Sequence, residues 1–397
     1  MKRDLLFLAH RIPYPPNKGD KIRSWHLLRH LAENWRVHLG AFVDDPEDWR
    51  HVEVLRNHCA DLKLLALDPR TGKLRSLRGL ISGEALTLPY YRNRALADWV
   101  RTKLEAGVDT VVVYSSAMAQ YVMDAPGCSR IMDFVDIDSD KWRQYAPTKA
   151  WPLSWLYERE GRRLLDWEKR VAAEFNAGLF VSAAEAEDFR SLAPESKEKI
   201  GYYNNGVDAG FFSPDADYAN PFPGSIRPIV FTGAMDYWPN IDAVAWFSRE
   251  VLPAIRRSHP DAVFYIVGSK PGQEVRALES ESVKVTGRVE DVRPYLAHAS
   301  VVVTPLRIAR GIQNKVLEAM AMAQTVVSSS QALEGIGAEH GKEVLRADSP
   351  EEFAGAISAV LEGVRCGEAA RRRVLADYAW ETNLAIVDTW LRGEVGR

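Results

Sequence analysis

Short runs of almost purely apolar residues, each followed by a helical pattern, recur along this chain: Leu5–Ala9, Thr110–Tyr114, Ile229–Thr232, Val263–Val267 and Val301–Thr304. Strands exposed on one face alternate apolar with polar residues, and these do not. They read as strands covered on both faces, as in parallel sheets flanked by helices. Further strands are expected at Val37–Phe42, Leu62–Leu67, Arg130–Val135 and Gly178–Ser182, then at Val283–Val285 and Thr325–Ser328, with helices between, such as Asp48–His58 and Pro152–Phe175. That alternation predicts an α/β architecture. A chain of 397 residues exceeds what one core usually serves. The pattern is interrupted once, at Tyr202–Pro214, where Asn204, Asn205 and Gly206 break secondary structure. Two domains are therefore expected, residues 1–205 and 206–380. The tail, 381–397, reads as a helix whose apolar side, Leu384, Val387 and Trp390, needs a partner.

The net charge of −3 argues against a nucleic-acid binder built on bulk charge. Cys59, Cys128 and Cys366 lack the paired spacing of zinc or redox sites, so reduced, buried thiols in the cytoplasm are expected. The apolar run after the basic N-terminus is too short for a signal peptide, and no stretch is long enough to span a membrane. Lys63–Lys103 mixes nine basic residues with Leu74, Leu77, Leu80, Ile81, Tyr90 and Tyr91. That composition fits peripheral docking on anionic lipid, and it fits a solvated helix face equally.

Candidate chemistry gathers in Val301–Met322, VVVTPLRIARGIQNKVLEAMAM. The strand ends at Pro305, and from Asn314 the residues Val316, Leu317 and Met320 fall at helical spacing. A helix start carries unpaired amides and the positive end of the dipole, and Arg307, Arg310 and Lys315 add charge there, a setting for a diphosphate. Glu318, one turn on, is placed to accept from a sugar hydroxyl. The same residues also fit a solvated helix with a Lys315–Glu318 surface pair. The turn at Gly233 and Ala234 permits close backbone approach, and Arg288 is a weaker candidate for ligand contact. In the first half, Lys18, Gly19 and Asp20 open a helix after the proline-rich loop HRIPYPPNKGD, a ligand-facing corner or a plain connection. Asp133, Asp136, Asp138 and Asp140 fall at a strand exit, where an acid can orient a hydroxyl or act as base; capping, solvated loop acids and a divalent cation are the alternatives.

The run PLRIARGIQNKVLEAMAM resembles the donor-nucleotide segment of the family 4-type glycosyltransferases, and NNGVDAGFFSP resembles the junction signature of their GT-B architecture. DFVDIDSDKW is similar to a run in a sub-branch associated with exosortase and exopolysaccharide systems. The resemblance implies two doubly wound parallel-sheet domains facing across a cleft, with the C-terminal helix crossing back to the first. It implies a donor site of Gly233, Ala234, Arg288, Arg307, Gly311, Ile312, Lys315 and Glu318, with Lys18, Gly19 and Asp20 on the acceptor and phosphate side. Lys315, Arg310, Asp133 and Asp136 are the expected catalytic residues. The implied reaction is metal-independent, cofactor-free transfer of a sugar from a nucleotide-sugar to a lipid-linked or oligosaccharide acceptor, with retention of configuration. Two motif residues depart. Arg310 stands where the first Glu of the family's E-x7-E motif falls, and Tyr114, Ser115 and Ser116 replace a histidine common after the fourth strand. A catalytically silent nucleotide-sugar-binding partner is thus an alternative, whereas a dehydrogenase or epimerase is disfavoured because neither domain opens with G-x-G-x-x-G.

Overall fold

Leu5 to Ala9 are wholly inaccessible to solvent, as a strand covered on both faces must be. The computed structural model describes residues 2–393 except Asn17, Pro126, Arg310 and Gly311, and the side chain of Thr148 lies outside the description. Arg3–Ala9 (β1), Trp35–Val43 (β2), Asp61–Ala66 (β3), Thr110–Tyr114 (β4), Ser129–Val135 (β5), Ala177–Phe180 (β6) and Ile200–Tyr202 (β7) form one sheet. Its order is β3-β2-β1-β4-β5-β6-β7, with every pairing parallel. A second parallel sheet, in the order β10-β9-β8-β11-β12-β13, joins Arg227–Thr232 (β8), Ala262–Val267 (β9), Val283–Gly287 (β10), Val301–Thr304 (β11), Val326–Ser328 (β12) and Leu345–Arg346 (β13). Each sheet has its own apolar core, in which a buried valine or leucine contributes about 1.5–3 kcal/mol.

Two compact units follow the sheets: residues 1–204 together with the chain from Asn383 on, and residues 205–382. In the helix Trp380–Leu391, Leu384 and Val387 are buried. Within the first unit, the Trp390 indole packs so closely on Gly201 that a Cβ there would sit 2.5 Å from a ring carbon. Asp388 pairs with His30 at 3.1 Å. The expected helix Asp48–His58 is instead a 3-10 turn, Pro46–His51, followed by a short α-helix, Val52–Arg56. Cys366 is buried, but Cys59 and Cys128 are only half-buried, and all three are free thiols.

In both sheets the strand order reverses beside the first strand, between β1 and β4 and between β8 and β11. At such a switch point the loops leave in opposite directions and open a crevice at the carboxyl ends of the strands. Register fixes what lies there. Ala9 is opposite Tyr114, so His10 and Ser115 leave the first sheet side by side. Ile229 is opposite Val301, which brings the turn after Thr232 beside the loop after Thr304.

Candidate functional site

At the second unit's switch point the chain passes very close to itself. Gly233 donates from its N–H to the Val267 carbonyl at 3.0 Å, and a Cβ on Gly268 would lie 1.7 Å from the Gly233 carbonyl oxygen. Only glycine fits at 268. A Cβ on Gly233 would in turn meet Asn240 Nδ2 at 2.8 Å and Lys315 Nζ at 3.2 Å, so the bare backbone of this turn lies directly under a lysine ammonium. Lys315 is the second residue of the helix Asn314–Ala321, whose apolar face, Val316, Leu317 and Met320, is buried. That burial aims the lysine back over β8, where Nζ sits 4.7 Å from the Phe231 ring centroid. Lys315 donates to Asn240 Oδ1. The amide of buried Asn240 donates to the Ala234 carbonyl at 2.8 Å. One side chain thus ties the lysine to the turn, and spacing alone had not singled it out. The signal in the sequence is that the turn 236–240 carries no basic residue of its own.

Burial pushes the Lys315 ammonium down to about 8, and the charge of Glu318 only partly offsets it. Burial likewise pushes the Glu318 carboxyl up to about 7, against the pull of Lys315. A cation in this state lacks counter-charge, and a phosphate dianion would supply it. Beside it, Asn314 Oδ1 is buried without a hydrogen-bond partner among the described residues. It is an acceptor left open at the helix start.

Other predicted donor contacts are placed differently. Arg307 pairs with Asp242, with Nε 3.0 Å from the carboxylate, and its side chain is half exposed. Arg288 is exposed immediately after β10. Ala234 is exposed, and Ile312 is half-buried, its Cγ1 3.2 Å from where a Cβ on Gly335 would stand. Arg310 and Gly311 lie outside the described residues.

In the first unit, Lys18 and Gly19 are exposed at the start of the helix Gly19–Asn34. Asp20 accepts from Arg11, and His10 Nε2 stands 3.5 Å from it. Burial opposes the charge on Asp20, but His10 and Arg11 outweigh it and hold the carboxyl well below the usual range. His10 stacks on Tyr114 with ring centroids 5.7 Å apart. Asp133 is not available to a substrate. It is 1% exposed and bound to the Arg23 guanidinium, to the Tyr203 hydroxyl and to the Val135 N–H. A buried ion pair cannot serve as a general base facing an acceptor, which corrects the role expected of it. Asp136 and Asp138 are both held by Lys141, at 2.7 and 3.0 Å. A cation between two of the four acids is a simpler arrangement than a metal site. Among the described residues, no cluster of three His, Cys, Asp or Glu side chains is disposed to hold a metal ion.

Asp136, Asp138 and Lys141 line a cavity of about 650 Å³ together with His10, Asp20 and Ser115. Two of its lining residues are strained: Ser115 has φ 76° and Val135, which is β-branched, has φ 70°. Such conformations cost about 1–3 kcal/mol each and gather at functional sites. Glu168 lies buried beneath this edge, accepting from the Ser139 hydroxyl at 2.5 Å. Burial, then the charge of Asp138, pushes its carboxyl up to about 8.

Residues 227–363 match the family described as Glycosyl transferases group 1. A search of the curated proteins finds no match. Among solved structures, a glycosyltransferase from Rickettsia africae ESF-5 is similar over 100% of both chains, with 12% identity and a TM-score of 0.67. Sucrose-phosphate synthase from Thermosynechococcus elongatus is similar at 18% identity over 98% of both chains, with a TM-score of 0.66. HepE of Anabaena, solved with UDP, is similar at 17% identity over 97% of this chain and 99% of that one, with a TM-score of 0.63. These structural likenesses concern the fold, GT-B in type; the group 1 match over residues 227–363 supports a glycosyltransferase.

Proposed function

We propose that the chain transfers a sugar from a nucleoside-diphosphate donor, held at the Lys315 turn, to a lipid-linked or polysaccharide acceptor in surface or exopolysaccharide assembly. The observation that carries the proposal is the Lys315 ammonium, set over bare backbone at Gly233 and short of counter-charge. In the reaction, an acceptor hydroxyl oxygen bonds to the anomeric carbon as the bond from that carbon to the diphosphate oxygen breaks. The hydroxyl proton leaves with the departing phosphate, and the negative charge developing there is met by Lys315 and the amides at the helix start. Glu318, one turn into the helix, accepts from the ribose hydroxyls. Retention of configuration is the stereochemistry that the family resemblance favours. UDP is the first nucleotide to try, because HepE was solved with UDP and with UDP-glucose. The DFVDIDSDKW run favours the exopolysaccharide setting, and the basic, apolar stretch 63–103 favours work at a membrane surface in the cytoplasm. Among the described residues, no helix is long and apolar enough to cross a membrane.

The test is a thermal-shift panel of UDP, GDP, ADP and CMP on wild type, Lys315→Ala and Glu318→Ala. A ligand at a hundred times its dissociation constant stabilises by about 2.7 kcal/mol. One nucleoside diphosphate should stand out and lose its effect in both variants. A wild type that responds to none of them overturns the proposal.

A further inference from the structure

We infer that the acceptor is an amphiphile presented at an anionic lipid surface, and that the first unit's cavity takes its apolar chain. This assignment rests on the glycosyl-transfer proposal above and narrows its acceptor. The cavity's polar groups, His10, Ser115, Asp136, Asp138 and Lys141, come from or just beyond the carboxyl ends of the strands. Away from that edge, Leu77, Leu86, Trp142, Leu156 and Tyr157 form an apolar stretch of wall, with Lys73, Ser76 and Thr87 beside it. A polysaccharide carries hydroxyls along its whole length and would lose water against the leucines of that stretch without gaining partners from them. A hydrocarbon chain loses nothing there, and a hydroxyl-bearing head reaches the acids at the strand edge.

The surface beside these walls has the matching character. Leu77 lines the cavity and is also exposed. Next to it in sequence Ile81 is 92% and Leu74 71% exposed, with Leu80 also exposed, on the short helices Pro69–Ser76 and Arg78–Ser82. Trp151 is 82% exposed, and Leu153 and Trp155 are exposed beside it at the start of the helix Leu153–Glu174. The two patches are neighbours. Arg159, one turn after Trp155, donates to the Gly79 carbonyl at 2.7 Å, and Glu160 accepts from the Leu86 and Thr87 N–H groups. Interspersed with the aliphatic residues are Arg70, Lys73 and Arg78, none with a carboxylate partner among the described residues. Exposed aliphatic side chains, paired tryptophans and uncompensated cations on one face fit the headgroup region of an anionic bilayer.

Vesicles of phosphatidylcholine, with and without phosphatidylglycerol, test the surface. Full-length wild type should co-sediment with the phosphatidylglycerol vesicles alone, and Ile81→Asp/Trp155→Asp should abolish this while leaving the melting curve unchanged, since both side chains are exposed. Monomeric lysophosphatidylglycerol tests the cavity. It should raise the melting temperature of wild type but not of Leu156→Trp, whose indole fills the chain's path, and Leu156→Trp should still sediment with the vesicles. Binding that ignores phosphatidylglycerol, survives the double substitution, or gives the same lysolipid shift in Leu156→Trp overturns the inference. The UDP response, read in parallel, separates the two proposals. If it persists while the lipid effects fail, only the acceptor is wrong; if wild type lacks it, the donor reading falls whatever the lipids do.

Discussion

Arg23 and Asp133 form an ion pair in which both side chains are 1% exposed, with Nε 3.0 Å from Oδ2. Arg23 also donates to the carbonyls of Tyr203 and Phe180, at 3.0 and 3.3 Å, and lies 3.5 Å from the centre of the Tyr203 ring. The pair therefore ties the first helix to β5 and to the residue that follows β7. A buried charge stripped of its partner is strongly destabilising, by about 3–5 kcal/mol, whereas replacing both by apolar residues of similar volume costs far less. Asp133→Ala should lower the unfolding free energy obtained from urea denaturation by an amount in that range, and Arg23→Met/Asp133→Leu should recover most of it. An Asp133→Asn protein with wild-type stability and no transferase activity would instead return Asp133 to the chemistry.

Asn240 divides its amide between Lys315 and the Ala234 carbonyl. Asn240→Ala removes both ties while leaving the ammonium in place. With each hydrogen bond to a charged group worth about 1.5–3 kcal/mol, UDP affinity measured by calorimetry should fall at least tenfold. Stability should fall less, because the lysine can turn toward solvent.

Glu318 gives a pH signature with a definite sign. Its folded carboxyl is raised from the usual 4.5 to about 7, so between those values the folded state holds a proton that the unfolded chain has lost. The associated stability is fully present below about pH 4.5 and is lost as pH rises through about 7. Lys315, lowered from 10.5 to about 8, acts in the next window, where the unfolded chain holds the extra proton and stability rises with pH. Glu318→Gln removes the first effect. Its stability relative to wild type should therefore improve by on the order of 1–3 kcal/mol between about pH 4 and pH 8, read as the difference between two denaturation series.

Full burial made the central strands legible. Leu5–Ala9 and Val301–Thr304 carry no polar alternation because neither face meets water, and composition alone marks such runs. The edge strands Ile200–Tyr202 and Leu345–Arg346 are too short for any period to register. Lys315 and Glu318 were legible as charges on an apolar helix, one turn from its start. Their electrostatic state was not, because it depends on burial by other segments. The partners of Arg307, Lys315 and Asp133 lie 65, 75 and 110 residues away. No local spacing rule reaches so far. Each of these pairings changes what the residue meets, giving one cation a surface carboxylate, fixing another and withdrawing an acid from the surface.

Gly268 supplies a test of whether the Gly233 turn, and not only the lysine above it, makes the site. Gly268 follows β9 and is not among the residues expected to contact a ligand, yet any side chain there collides with the Gly233 carbonyl. In Gly268→Ala the contact of 1.7 Å must open by more than an ångström. Because Gly233 is bonded to Val267 behind it, the turn must rise toward Lys315. The core strands do not depend on this loop, so the sheet should fold with a stability loss of about 1–3 kcal/mol, as for other overpacked sites. UDP binding should fall much further than stability does. Equal losses in both would make the turn only a packing feature, and the backbone under Lys315 would then have no part in holding a diphosphate.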